Sequence, residues 1–309
     1  MKIAIIGAAG TVGSCTAFAL VSRKSAEEIL MIDLFENALK GQWMDLVAVA
    51  ANQGISLKKG VYEDLPGTNI VVIAVGAPVN ASKSRLELLA SSMPIIKTVA
   101  DNINKYAPKA IMITETNPVD PLNYEMYLLS ADKDRRRYIG YSLNDTLRFR
   151  MWAADALGVN ATRVNGMVIG EHGNNQVMLF STLRLDGKPV KFDLETERKI
   201  REQPSAIVST FEALVPKRTP GWTSAYGTVA VIDAIKNDSK AVLPCNVVLE
   251  GEYGLRGIST TVPVTLGKRG IEAVQTIQLA PDEKEEFERS AQALSPHMRA
   301  VEDFVKSAK

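Results

Sequence analysis

The chain has 309 residues, 46% of them apolar, with 36 Lys and Arg against 35 Asp and Glu. That length supplies apolar material for two domains or one large one, and a net charge of +1 with no basic, aromatic-laced stripe argues against nucleic acid as a partner and for a small ligand. The two cysteines, Cys15 and Cys245, lie far apart without a CxxC or histidine ligand pattern, which argues against a metal or disulfide framework and for a reducing, cytoplasmic setting.

The N-terminal stretch Lys2 to Leu20, with Val12-Gly13-Ser14-Cys15 inside it, superficially looks like a secretory leader. It makes a better strand, glycine turn and helix. Up to about Tyr141 the pattern alternates short β-rich runs with longer helical ones. Strands are predicted at Ile3–Ile6, Ile29–Ile32, Ile70–Val75 and Ala110–Thr114, and helices at Val12–Ser22, Glu36–Ala51, Arg85–Tyr106 and Asp120–Leu129. Strands that are apolar throughout imply a parallel sheet covered on both faces, and parallel strands need such crossovers. The expectation is an α/β fold, with a doubly wound parallel sheet over residues 1–143.

Beyond Asn144 the character changes. A helix is predicted at Asp145–Leu157, then the apolar run Val164–Ile169, then strands Val177–Leu185 and Pro189–Phe192 about an Asp186-Gly187 turn. Helices at Glu195–Gln203, Ala206–Val215, Thr223–Lys236 and Asp282–Lys306 surround strands at Val242–Leu249 and Thr260–Leu266. Residues 144–309 thus read as an α+β substrate domain with antiparallel strands. No apolar run is long enough to span a membrane.

The first strand enters Gly7-Ala8-Ala9-Gly10-Thr11-Val12-Gly13 and then a helix, the context of a dinucleotide fingerprint. Gly7 permits the tight turn, Gly10 lets backbone approach a pyrophosphate, and Gly13 permits close packing of helix on strand. The central glycine of the commoner form is Ala9 here. The second strand ends at Asp33, whose carboxylate can bind both ribose hydroxyls and would repel a 2′-phosphate. Leu34 and Phe35 offer no cation, so NAD is favoured over NADP.

Gly170-Glu171-His172-Gly173 places one of the chain's two histidines at the end of an apolar run. An imidazole titrates near neutrality and suits proton transfer. Asp145 and Arg148, three apart on one helix face, supply a carboxylate to orient the ring and a planar fork for a substrate carboxylate.

These motifs resemble the lactate/malate dehydrogenase family of NAD-dependent L-2-hydroxy acid dehydrogenases, over nearly the whole length. The matching segments are the Gly7–Gly13 loop, Asp33, Asn117-Pro118-Val119-Asp120, Asp145-Thr146-Leu147-Arg148-Phe149-Arg150, the Gly-Glu-His-Gly run and Ser84-Arg85. The variant loop, Val242-Leu243-Pro244 and Leu249–Gly254 are most similar to the archaeal-type malate dehydrogenase branch. The resemblance implies a Rossmann nucleotide domain and a homodimer or homotetramer, with the helix around Gly41–Leu46 as a contact. It implies that His172 is the acid/base, Asp145 its orienting carboxylate, Arg148 the clamp on the substrate carboxylate, and Arg85 the group that polarises the carbonyl. Asn117, after a bond expected to be cis before Pro118, would meet the carbonyl oxygen or the nicotinamide ribose. Gly7, Ala9, Gly10, Thr11, Val12, Gly13, Asp33, Val75 and Gly76 would line the coenzyme. Asp120 is either a member of the site or a helix cap.

The family reads the substrate's side chain six positions before the arginine of Ser84-Arg85, typically with Gln for lactate or Arg for malate. This chain has Val79 there. An unpaired buried carboxylate costs several kcal/mol, so the expected substrate is a 2-oxo acid with an uncharged side chain. Thr223 is the matching small polar residue on the opposite wall, with Trp222 adding apolar bulk. Ser92 replaces a family asparagine. The alternatives are a malate dehydrogenase proper using another cation such as Lys83, with Asn80 as a further donor, or a non-catalytic NAD-binding protein. An NAD-dependent glycosidase would need a metal held by Cys and His, a set absent near this site.

Overall fold

The computed structural model describes residues 1–76, 85–214 and 219–308. In the first half, β1 (Lys2–Ile6), α1 (Thr11–Ser22), β2 (Glu28–Ile32), α2 (Glu36–Asn52), β3 (Ser56–Lys59), β4 (Ile70–Ile73), α3 (Arg85–Tyr106), β5 (Ile111–Thr114), α4 (Val119–Leu129) and β6 (Tyr138–Gly140) follow one another. The strands run parallel in the order β3-β2-β1-β4-β5-β6. The period-two pleat explains why these short runs are apolar throughout. Ile3 and Ile5 enter the core on the side of α1 and α2, while Ala4 and Ile6 enter the one under α3 and α4. Each isoleucine withdrawn completely from water contributes roughly 1.5–3 kcal/mol.

The chain continues through α5 (Leu143–Leu157), β7 (Val164–Asn165), β8 (Val168–Gly170), β9 (Gln176–Met178), β10 (Arg184–Leu185), β11 (Lys188–Pro189), α6 (Leu194–Leu214), α7 (Trp222–Lys236), β12 (Val242–Glu250), β13 (Arg256–Gly267), β14 (Gly270–Val274) and α8 (Pro281–Ser307). The antiparallel strands β12-β13-β8-β9 extend the parallel sheet from the far side of β6, and β14 pairs with β13, so one eleven-stranded sheet crosses the protein. The junction is narrow: Gly140 on β6 faces Asn246 on β12. A side chain at Gly140 would put its Cβ 2.6 Å from that of Asn246.

Several elements differ from the sequence expectation. The run Val164–Ile169 is two strands in two sheets, since β7 joins the three-stranded β11-β10-β7 and β8 joins the large one. Gly166 sits between them, with Leu183 and Phe149 where a Cβ would be. Val177–Leu185 is likewise broken, by a 3-10 turn at Phe180–Thr182. The two helices expected on either side of Pro204 are the single helix α6. The short strands β3, β6 and β14 had no apolar run of readable length.

Candidate active site

The nucleotide loop leaves β1 through Gly7, whose φ of 90° lies in the left-handed region. A Cβ at Gly7 would stand 2.4 Å from the Ala74 carbonyl oxygen, and one at Gly13 would stand 2.3 Å from that of Gly7. Both positions therefore need a hydrogen, which leaves the backbone of Gly10, Thr11 and Val12 open at the start of α1. Asp33 closes the turn after β2. Its Oδ2 accepts from the Ala9 amide at 2.9 Å and its Oδ1 from the Phe35 amide at 3.0 Å. Each oxygen keeps a lone pair for a ribose hydroxyl. Leu34 and Phe35 are 88% and 74% exposed, and neither could hold a 2′-phosphate. These residues fit NAD. Val75 and Gly76 follow β4 at the same edge of the sheet. Ser92 is buried in α3, and its hydroxyl has no partner among the described residues.

Asn117 precedes a cis bond to Pro118, and its side chain is exposed. The helix α4 that follows is capped by no side chain, so Asp120 is not a cap. It is buried, accepting from the backbone N–H of His172 at 3.0 Å through Oδ2 and from Asn246 Nδ2 at 2.6 Å through Oδ1. Asn123 donates to the Asn246 amide oxygen at 3.0 Å, and Ser259 donates to it as well. Burial pushes Asp120 up to about 7, although the nearby His172 lowers it.

His172 lies just past β8, where Gly170 turns the chain with φ of 86°. Its Nδ1 is 2.6 Å from Asp145 Oδ2. Burial disfavours the charged ring, but the charge and hydrogen bond of Asp145, with Asp120 behind, outweigh it and hold the imidazole above its usual pKa. Arg148 stands one turn along α5, its side chain only 18% exposed and its NH1 3.9 Å from the other Asp145 oxygen. That long contact leaves most of the guanidinium fork available to an anion. This arrangement can hold an anion at the guanidinium beside an imidazole whose tautomer the Asp145 carboxylate fixes.

Thr223 is half-buried in the first turn of α7, where its carbonyl accepts from the Tyr141 hydroxyl at 2.9 Å. Trp222, expected to line a substrate wall, is 86% exposed. It lines an outer hollow of about 810 Å³ with Cys15, Phe18 and Tyr226. Val79, Asn80, Lys83 and Ser84 lie outside the described residues, as does the side chain of Arg85, whose backbone begins α3. Among the described residues no group of three or more His, Cys, Asp or Glu could hold a metal ion, and no helix is long and apolar enough to cross a membrane. A larger hollow, about 870 Å³, lies at the opposite edge, where β4 and β5 begin, away from all this chemistry.

Sequence reasoning missed Asn246 and Glu115. Asn246 is a lone polar residue in an apolar strand, and that interruption was the available signal; Glu115 lies in the polar run Thr114-Glu115-Thr116-Asn117 after β5 and carried none.

The family model for the lactate/malate dehydrogenase NAD binding domain matches residues 1–140, and that for the lactate/malate dehydrogenase alpha/beta C-terminal domain matches residues 143–305. The chain is 34% identical to a malate dehydrogenase of Nitratiruptor sp., over 98% of this chain and 96% of that one. It is 33% identical to one of Natronomonas pharaonis, over 95% and 97%. Among solved structures it is similar to the malate dehydrogenase from Aeropyrum pernix, with a TM-score of 0.89, 32% identity and coverage of 96% and 97%. The minor L-lactate dehydrogenase from Enterococcus mundtii gives 0.90, 27%, 97% and 98%.

Proposed function

The chain belongs to the lactate/malate dehydrogenase family and is an NAD-dependent oxidoreductase of a 2-hydroxy acid; from that premise we propose that His172 carries the proton of the reaction for a substrate with an uncharged side chain. The observation that carries this reading is the 2.6 Å contact of His172 Nδ1 with Asp145. A carboxylate there requires Nδ1 to bear hydrogen, so the other ring nitrogen holds or releases the exchanged proton.

Arg148 binds the substrate carboxylate and sets the C2 hydroxyl against the imidazole. Bound NAD supplies the acceptor for the hydride that leaves C2. As the hydroxyl proton passes to His172, Asp145 stabilises the imidazolium. In the reverse direction the protonated ring gives that proton to the developing alkoxide. Arg85, whose backbone opens α3, polarises the carbonyl. Asn117 meets the carbonyl oxygen or the nicotinamide ribose, and Thr223 meets the substrate's side chain, with Val79 at the sequence position that reads it. Val79 offers no charge to a second carboxylate.

A second reading, favoured by the names of the curated relatives, is malate oxidation with Lys83 as the replacement cation. One set of rates separates the two. The wild-type chain should reduce pyruvate or 2-oxoisocaproate with a higher kcat/KM than oxaloacetate. His172→Asn should lower kcat about a thousandfold or more in both directions while NADH binding stays within about twofold. A hundredfold preference for oxaloacetate would overturn the uncharged side chain and favour Lys83. Undiminished turnover by His172→Asn would remove the histidine from the mechanism. The apolar hollow between α1, α2 and α7, with Phe18, Val49, Trp222 and Tyr226 exposed around it, supports a homodimer or homotetramer with a subunit contact through this face.

A further inference from the structure

Glu115 stands one residue past the end of β5 and two before Asn117, and only 9% of it is exposed. Its Oε2 accepts from the Thr16 hydroxyl of α1 at 3.4 Å and its Oε1 from the Thr228 hydroxyl of α7. Among the described residues no cation pairs with it. Among the described residues, the titratable group on which its charge acts is the Tyr141 phenol, after β6. That phenol is held well above its ordinary pKa by burial, then by Glu115 and Asp145, with Arg148 opposing. The Asp145–His172 pair lies beyond.

Two hydroxyls are a poor substitute for water around a carboxylate, and burial pushes Glu115 up to about 7. Such a group is balanced between its forms at neutral pH, so a charge arriving nearby decides which it takes. Its surroundings are the helix opened by the nucleotide loop, the helix carrying Thr223, and the strand end leading to Asn117. On the reading given above, the nicotinamide half of the coenzyme binds at Asn117, two residues along the chain from Glu115. The oxidised ring is a cation and the reduced ring is neutral.

We propose that Glu115 is a buried counter-charge for the oxidised nicotinamide ring: it gives up its proton when NAD+ binds and keeps it when NADH binds. The carboxyl O–H bond breaks, the proton leaves to solvent, and nothing is oxidised or reduced. By reciprocity, an ionised Glu115 favours NAD+ over NADH. At a separation of about 10 Å and an effective dielectric of about 20, the preference is on the order of tenfold.

The test is calorimetric titration of NAD+ and of NADH, each in two buffers of different ionisation enthalpy, at pH 6.5 and pH 8, on the wild-type chain and on Glu115→Gln. Glutamine keeps an acceptor for one threonine and cannot ionise. The wild-type chain should release a proton with NAD+ at pH 6.5 and none with NADH. Its affinity for NAD+ should rise towards pH 8. Glu115→Gln should bind NADH as the wild type does, release less proton with NAD+, and bind it about tenfold more weakly at pH 8. Equal loss for both forms of the coenzyme would make Glu115 a clamp between α1 and α7 and overturn the proposal, as would proton release unchanged by the substitution. The titrations on His172→Asn, where the imidazole contributes no charge, give a second test: loss of the differential release there overturns it too. Failure of the wild-type chain to bind either coenzyme would overturn the underlying reading and this one with it.

Discussion

Asp120 holds His172 from behind, through the backbone, while Asp145 holds it from the front through the ring. Replacing Asp120 by Ala leaves the His172 N–H and an Asn246 amide proton buried without acceptors, at about 1–3 kcal/mol each. The expected result in urea unfolding is destabilisation by about 2–5 kcal/mol, with Asp120→Asn intermediate because its amide retains one acceptor oxygen. Asp120→Ala unfolding like the wild type would show that the buried pair of bonds contributes nothing. The partnership was illegible in the sequence because its members are 52 and 126 residues apart. Asp145 and Arg148, three apart on one helix, were legible from spacing alone. So was Asp33, whose place is set by the end of an apolar strand. Glu115 was not, because nothing in a strand's apolar pattern says which helices will close over the residue after it.

At the scale of elements, β6 joins the two halves at a single residue pair, Gly140 and Asn246. Gly140→Ala would drive a methyl into the Asn246 side chain and push β12 off β6, and overpacking of this kind costs about 1–3 kcal/mol. Because Asn246 also bonds Asp120, kcat should fall with stability. A variant as stable and as active as wild type would mean that the junction gives way freely. Long elements were readable: α3 matches its expected bounds, and α1, α2 and α7 shift by a residue at an end. Short ones were not. β3 buries only Leu57 of its four residues, and β6 has three. Pro204 also misled, since α6 continues through a residue that usually ends a helix.

Across the whole molecule, burial raises the carboxyls of Glu115 and Asp120 to about 7 and that of Glu125 to about 9. An acid raised on folding binds more protons in the native state, so its contribution to stability is lost as pH climbs from about 4.3 through the folded value. His172, also raised, contributes below about 6.5 and loses that as pH passes its folded value. Glu252 works the other way: Arg135 lowers it to about 2, so its contribution is present above about 4.3 and is lost only in acid. The melting temperature should therefore fall between pH 5.5 and pH 8.5, and Glu115→Gln should flatten the fall. Calorimetry at constant ionic strength checks this, and a rise over that interval would refute it.

The continuity of the sheet bears on how the polypeptide can be cut. The strand β6 is bordered by β5 from its own half and by β12 from the other. A fragment ending near Tyr141 would carry the coenzyme loop complete but would bare the inner flank of β6, with its hydrogen-bonding groups turned to water, and such an edge recruits other strands. The nucleotide-binding portion expressed alone should therefore associate more readily than the whole chain, in which β12 covers that flank at Gly140.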